Sequence, residues 1–343
     1  MFIWYTMDDM NDGIGGLIMK IMPLEQRGIS TSRIILGCMP FGGGWNKEPI
    51  TQDHIKEAEK AVDAALSIGV TMFDHADIYT MGKAEETFGR ILKNRPDLRE
   101  QIVIQSKCGI RLKDDISPER FDFSKEHILK TVEGSLKRLG VDYLDVLLLH
   151  RPDPLMEPEE VAEALGKLKA SGKVRYFGVS NMSVAQIKFL QQAMPDQIAV
   201  NQIEMSLARL DWVDQSVYVN QKAGVSTNFS EGLMEYSQME KIQLQAWGPL
   251  AQGKFSGKSL ENEPERFRNT ANLVGEMAKD KETTVESIVL GWLMKHPARI
   301  QPVIGTVNEE RIKACDDAER QSQLMTREEW YKLYHSAREN QAK

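Results

Sequence analysis

Gly69-Val70-Thr71-Met72-Phe73 is an apolar run that stops at Asp74-His75-Ala76-Asp77-Ile78-Tyr79. A short buried strand ending in titratable groups is typical of the C-terminal mouth of a parallel barrel, where active sites are assembled from the ends of several strands. Two further runs end in the same way. Ile102-Val103-Ile104-Gln105-Ser106 stops at Lys107, and Val146-Leu147-Leu148-Leu149 stops at His150. Asp74, Tyr79, Lys107 and His150 are therefore four side chains at three strand ends, distant in sequence and candidates for one catalytic site.

From residue 33 onward, short apolar runs alternate with amphipathic stretches. The pattern predicts strands over 34–37, 70–73, 102–106, 143–149, 174–178, 199–202, 242–247 and 300–305. Helices are predicted over 51–68, 124–139, 158–170 and 183–193, with Ala58, Ala61, Val62, Ala65 and Leu66 on one face of the first. Ser124 and Ser183 are capping residues, the latter in the capping-box run Ser183-Val184-Ala185-Gln186, and Gly69, Gly140 and Gly172 follow helix ends. Strands alternating with helices imply a parallel sheet. Eight such units point to a closed (β/α)8 TIM barrel. Gly42-Gly43-Gly44 does not reproduce the glycine fingerprint of an open dinucleotide-binding sheet. Residues 20–32 are expected to form a hairpin capping the barrel bottom, and 206–231 and 251–268 to be long loops on the C-terminal face. Residues 1–18 are expected to be a disordered or non-native extension, with 19–343 a single barrel domain.

The chain has 343 residues, 41% of them hydrophobic and 27% charged, with a net charge of −7. No basic block favours nucleic acid or an anionic membrane surface, and no apolar run reaches the ~20 residues of a membrane span. Cys38, Cys108 and Cys315 lack metal-ligand spacing and suit a reducing compartment. A cytoplasmic protein, monomeric or a small homo-oligomer, is expected.

The chain resembles the aldo-keto reductase family over about residues 20 to 335. The motifs that carry the resemblance are Gly69 to Tyr79 followed by Glu85 to Gly89, Ser106-Lys107-Cys108-Gly109, and Asp142-Tyr143-Leu144-Asp145 leading to His150-Arg151-Pro152-Asp153. Gly178-Val179-Ser180-Asn181, Asn201-Gln202, Trp247-Gly248-Pro249-Leu250 and 302–311 follow in order. The resemblance implies an NADPH-dependent reductase of a small-molecule aldehyde or ketone, with a catalytic tetrad of Asp74, Tyr79, Lys107 and His150 and no metal. Carbonyl reduction needs a proton for the developing alkoxide. A free tyrosine has a pKa of ~10, and the Lys107 ammonium is expected to lower that of Tyr79, with Asp74 fixing Lys107 and His150 orienting the carbonyl oxygen.

The resemblance also implies the cofactor contacts. Ser180, Asn181 and Gln202 would meet the nicotinamide carboxamide, and Trp247 would stack on the ring. Gly248, Pro249, Leu250, Gln252 and Gly253 lie along the loop expected to meet the pyrophosphate, with backbone amides around Leu250 to Gly253 contacting it. Gly305, Thr306 and Arg311 follow the last strand, with Thr306 and Arg311 reaching the adenosine 2′-phosphate. Gly305 stands where many relatives carry a lysine, His75 replaces a small hydroxyl residue and is read as structural, and Thr80 stands where glycine is usual. Rival chemistries, a Schiff base on Lys107 or a metal held by Asp74, His75, Asp77 and His150, fit less well. The alternative function is a nicotinamide-nucleotide-sensing accessory subunit with slow turnover.

Overall fold

A computed structural model describes residues 21–338. Eight strands appear, one at each expected place: β1 (Ile35–Gly37), β2 (Met72–Asp74), β3 (Val103–Cys108), β4 (Leu144–Leu149), β5 (Val174–Ser180), β6 (Val200–Glu204), β7 (Gln243–Trp247) and β8 (Gln301–Ile304). They close into one parallel barrel, in which β1 pairs with both β2 and β8. The register sets Gly37 opposite Asp74, Asp74 opposite Gln105, Lys107 opposite Leu148 and Ser180 opposite Gln202. Lys107, Ser180 and Gln202 therefore share the C-terminal end with Asp74.

Strands of a closed parallel barrel are buried on both faces, which is why they read as near-continuous apolar runs. One face packs against the surrounding helices. Phe73, Ile104, Leu147, Leu149, Phe177, Val179 and Leu244 are buried there with Val62, Phe88, Val132 and Leu165 of the helices. The other face lines the lumen, where Ile35, Met72, Val146, Leu148, Val200 and Val303 form a second, smaller apolar cluster. The helices start as the capping residues dictate. Ser124 accepts from the His127 amide before Lys125–Leu139, and Ser183 caps Val184–Gln191 with the Gln186 side chain reaching back. Gly140, at φ 66°, closes Lys125–Leu139 in the left-handed conformation.

Two features differ from the sequence reading. The hairpin expected over 20–32 is a one-turn helix, Pro23–Gln26, and no described residue of that segment joins a strand pair. Pro23 at the first helical position and Glu25 reaching the Met22 amide are both helix-start devices. Leu24 from this turn belongs to the lumen cluster, so the segment plugs the barrel as a helix. The loop after β3 also carries a short antiparallel pair, Ile110–Arg111 with Arg120–Phe121. The 1–18 extension lies outside the described residues. Segment 206–231 contains a helix, Asp211–Val217, anchored by Trp212 packing edge-on to Trp292 at 5.4 Å. Among the described residues no helix is long and apolar enough to cross a membrane.

Candidate active site

The groups from β2, β3 and β4 converge. Lys107 is fully enclosed, and its ammonium donates to Asp74 Oδ2 at 2.6 Å, to the His75 carbonyl at 2.9 Å and to Tyr79 Oη at 2.8 Å. An ammonium has three donors and no acceptor, so all of its capacity is used. Tyr79 Oη can only accept from Lys107. The phenol's own proton is therefore left to point elsewhere. The His150 ring stands edge-on to the Tyr79 ring, centroids 5.9 Å apart.

The electrostatics refine the sequence reading. Burial pushes the Tyr79 phenol above its ordinary value, and the Lys107 ammonium opposes this without overcoming it. The expected lowering by Lys107 is present as an influence, but the net direction is upward because desolvation is larger. Burial pulls the Lys107 ammonium down, yet the Asp74 carboxylate and Tyr79 outweigh it and the net direction is up, keeping the ammonium charged. Burial, then Lys107 and Arg151, hold His150 well below its ordinary value, so its imidazole is neutral at physiological pH. A neutral imidazole carries one N–H and can donate one hydrogen bond.

His75 sits away from this cluster. Its ring packs edge-on to Phe88 at 4.7 Å between barrel and helices, both nitrogens lack partners, and burial lowers its pKa to about 3. That placement fits a structural residue. Thr80 adopts a left-handed backbone, φ 47°, as does Met81, φ 62°. A β-branched residue is a true outlier there, and the Thr80 hydroxyl ties the turn to the Phe41 carbonyl at 2.9 Å. The loop after β2 is thus clipped to the loop after β1.

The second half of the mouth is a knit platform. Ser180 Oγ donates to the Gln202 carbonyl at 2.8 Å and accepts from Asn181 Nδ2 at 2.8 Å, while Asn181 Oδ1 accepts from the Trp247 indole N–H at 3.1 Å. The Arg151 guanidinium lies 5.8 Å from the Trp247 ring centre. Gly248, Ala251, Gln252 and Gly253 all have positive φ, so the chain past Pro249 and Leu250 winds tightly over the barrel rim. Beyond β8, Gly305 is exposed, and a Cβ there would meet nothing within 4 Å. Thr306 Oγ1 accepts from the Asn308 amide, and Asn308 caps Glu309–Lys313. The Arg311 side chain is exposed with no bonding partner among the described residues. A cavity of about 440 Å³ opens beside this platform, lined in part by Arg151, Asn181, Glu204, Arg209, Asn228 and Trp247.

Two polar groupings escaped the sequence reading. Glu85, fully buried, accepts from Ser106 Oγ at 2.6 Å and from Arg138 at 2.7 Å. Nearby Asp77 is driven up to about 7 by burial first and by Glu85 second. The other grouping is a set of lumen glutamines. Gln105 and Gln202 both donate to Asp74 Oδ1, at 2.6 and 3.1 Å, and both donate to Gln245 Oε1. Period-two spacing was the available signal, since Gln105 and Gln245 lie two residues before Lys107 and Trp247 and so share their lumen face. No group of three or more His, Cys, Asp or Glu among the described residues could hold a metal ion.

The protein is thus a parallel (β/α)8 barrel with a buried Asp–Lys–Tyr cluster and a neutral histidine at its mouth. The sequence model of the Aldo/keto reductase family matches residues 33–330, and the chain belongs to that family, whose members are NAD(P)H-dependent oxidoreductases. It is 38% identical over 280 residues to an oxidoreductase of Bacillus subtilis called YcsN, covering 80% of this chain and 85% of that protein. It is 35% identical over 316 residues to a 6-dehydroglucose reductase of Agrobacterium fabrum, covering 89% and 94%. An aldo/keto reductase structure from Klebsiella pneumoniae, in complex with NADP and acetate, superposes with a TM-score of 0.67 at 24% identity over 91% of this chain and 93% of that one.

Proposed function

We propose that the protein reduces an aldehyde or ketone with NADPH, Tyr79 being the proton donor. The observation that carries this is the Lys107 ammonium joined at once to Asp74 Oδ2 and Tyr79 Oη inside a buried strand-end site. NADPH, when bound, supplies the two electrons and the hydrogen that the carbonyl carbon receives. The residues here fit that group. Trp247 offers an aromatic face held by Asn181, and the side-chain oxygen Oε1 of Gln202 accepts no hydrogen bond among the described residues. Ser180 and Asn181 stand beside Gln202, the rim from Gly248 to Gly253 would follow the pyrophosphate, and Thr306 and Arg311 would meet the 2′-phosphate, with Gly305 leaving room. Arg is suited to that phosphate by its planar fork of donors.

The protein's part in the reaction follows from donor polarity. Tyr79 Oη accepts from Lys107, so its O–H is directed toward the mouth and gives its proton to the carbonyl oxygen. The raised phenol pKa keeps that proton in place at neutral pH. As the proton leaves, the Lys107 ammonium 2.8 Å away stabilises the tyrosinate. Asp74 keeps Lys107 charged and fixed, and the neutral His150 donates to the same carbonyl oxygen and orients it. The alcohol product carries the new C–H and O–H bonds. A sugar aldehyde is the first substrate class to test, because one relative is a 6-dehydroglucose reductase.

Tryptophan-fluorescence titration with NADPH and with NADH tests the cofactor reading. Tighter binding of NADPH is expected, with turnover on adding a reactive aldehyde. Absence of binding by either nucleotide would sink it.

A further inference from the structure

A second cavity lies where the segment after β6 meets the last helices of the chain. Its volume is about 530 Å³, and it shares no lining residue with the cavity beside Trp247. The helix Asp211–Val217 contributes to both. Asp211 lines the mouth cavity, whereas Trp212, Val213 and Val217 line the second. That volume falls within the ~300–1,000 Å³ of small-molecule sites.

One side of the second cavity is a locked aromatic wall. Trp330 stacks on the fully buried Trp292 with centroids 5.1 Å apart, and each indole N–H donates to the other residue's carbonyl, at 3.1 and 3.0 Å. Trp212 meets Trp292 edge-on, and the exposed Tyr331 meets Trp330 edge-on at 5.1 Å. Trp212, Trp330 and Tyr331 all line the cavity, so an apolar surface suited to a planar ring is already formed.

The polar groups around that wall are donors. Arg33, Lys295, Arg299 and Arg327 line the cavity with Glu319 as the one acid, in a chain whose net charge is −7. Glu319 accepts from Arg33 Nε at 3.0 Å. Lys295 donates to the neutral Gln323 carbonyl, and Arg299 and Arg327 form no ion pair among the described residues. Burial lowers the Arg33 pKa, and the like charge of Arg299 adds to that lowering. His296 belongs to the same set. Its Nδ1 accepts from the Ala298 amide at 3.2 Å, and burial holds the ring at about 4. The ring is therefore neutral with its hydrogen on Nε2, a donor without a partner among the described residues. Cations gathered with too few carboxylates repel one another, and an anion placed among them relieves the repulsion.

We propose that this cavity binds a planar organic anion, its ring against Trp330 and Tyr331 and its acidic group held by Arg299 and Arg327. The guanidinium fork matches a carboxylate or a phosphate equally well in shape. The site is separate from the mouth, and the proposal does not depend on the cofactor reading.

The experiment is isothermal titration calorimetry of the full chain with naphthoate, with naphthyl phosphate and with uncharged naphthamide. At least one of the two acids should bind, and at least about tenfold more tightly than the amide, because only the acids make charge-assisted hydrogen bonds. Whichever acid binds more tightly identifies the acidic group. Joint replacement Arg299→Gln and Arg327→Gln should cost that acid about tenfold or more. Tyr331→Ala should weaken it as well by removing ring contact, whereas Arg151→Ala, beside Trp247, should leave it unchanged. Equal affinity for acids and amide, or no binding of either acid by the parent protein, would overturn the proposal without any variant having to fold. Binding that Arg151→Ala removes and the paired arginine changes leave intact would place the anion at the mouth and overturn it too.

Discussion

The lumen of the barrel and the sleeve between barrel and helices are both buried, yet they are built oppositely. In the sleeve, apolar side chains such as Phe73, Phe88, Ile91 and Leu147 pack with little polar content. His75 intrudes there with both ring nitrogens unpartnered and stays neutral, whereas the buried Glu85 is held by Ser106 and Arg138. In the upper lumen, Asp74, Lys107 and the glutamines are polar and cross-bonded. Sleeve packing is non-directional and tolerates exchange by volume. The lumen network is directional, so a group left unmatched within it is costly. The sleeve is thus held mainly by packing and the upper lumen by directional polar bonds.

The largest effect that sharpens this contrast is expected from Lys107→Met, which leaves the Asp74 carboxylate buried without its cation. Turnover should disappear, and urea denaturation should record a loss of about 3–5 kcal/mol. A variant as stable as the parent would mean that the lumen pair carries no such tension. Leu147→Ala, in the sleeve, should cost a similar ~2–5 kcal/mol through its cavity, but steady-state kinetics below the melting range should find kcat nearly unchanged. An equal collapse of kcat would erase the division between the two regions.

Acid sensitivity is the next effect in size. His75 and His296 are held by burial at about 3 and about 4, against an ordinary value of 6.5. Below 6.5 the unfolded chain takes up protons that the native protein refuses, so stability falls as the pH drops from 6.5 toward 4. Asp77, raised to about 7, works the other way, since the native protein keeps a proton that the unfolded chain releases above 3.8. His75→Leu should flatten the acid limb by about 1.4 kcal/mol per pH unit in denaturation curves recorded across that window. An unaltered limb would show that His75 already accepts a proton in the folded state. The smallest effect is expected at the rim. Gly305→Lys projects into open space past the end of β8, so it should favour NADPH over NADH a few-fold, with stability changed by no more than about 0.5 kcal/mol. Equal gains for both nucleotides would place the 2′-phosphate elsewhere.

Much of the architecture was legible because barrel strands buried on both faces leave continuous apolar runs, and because Ser124, Ser183 and Gly140 mark helix ends by local chemistry. The convergence of Asp74, Tyr79, Lys107 and His150 was legible for a related reason, since strand ends of a parallel barrel share one face. The helical turn at Pro23 was missed although proline and Glu25 signalled it within four residues. The lumen circuit was harder to read. Gln105, Gln202, Gln245 and Gln301 lie on four different strands, two of which carry a further amide in Asn201 or Gln243, and only closure of the barrel brings the four within bonding distance. The same holds for Glu85 and Arg138, which meet between a helix and its neighbour. The upward shift of Tyr79 was equally illegible, because sequence names the neighbouring cation but not the depth of burial that outweighs it.

The most direct measurement of the central claim is a paired assay on Tyr79→Phe, recording NADPH affinity by fluorescence and reduction of a reactive aldehyde by loss of NADPH absorbance. Removing only the hydroxyl should leave affinity unchanged and lower kcat by about 10²–10⁴-fold. Reduction at the parent rate would contradict the assignment of the proton to Tyr79 and, with it, the role given to the buried Asp74–Lys107 pair.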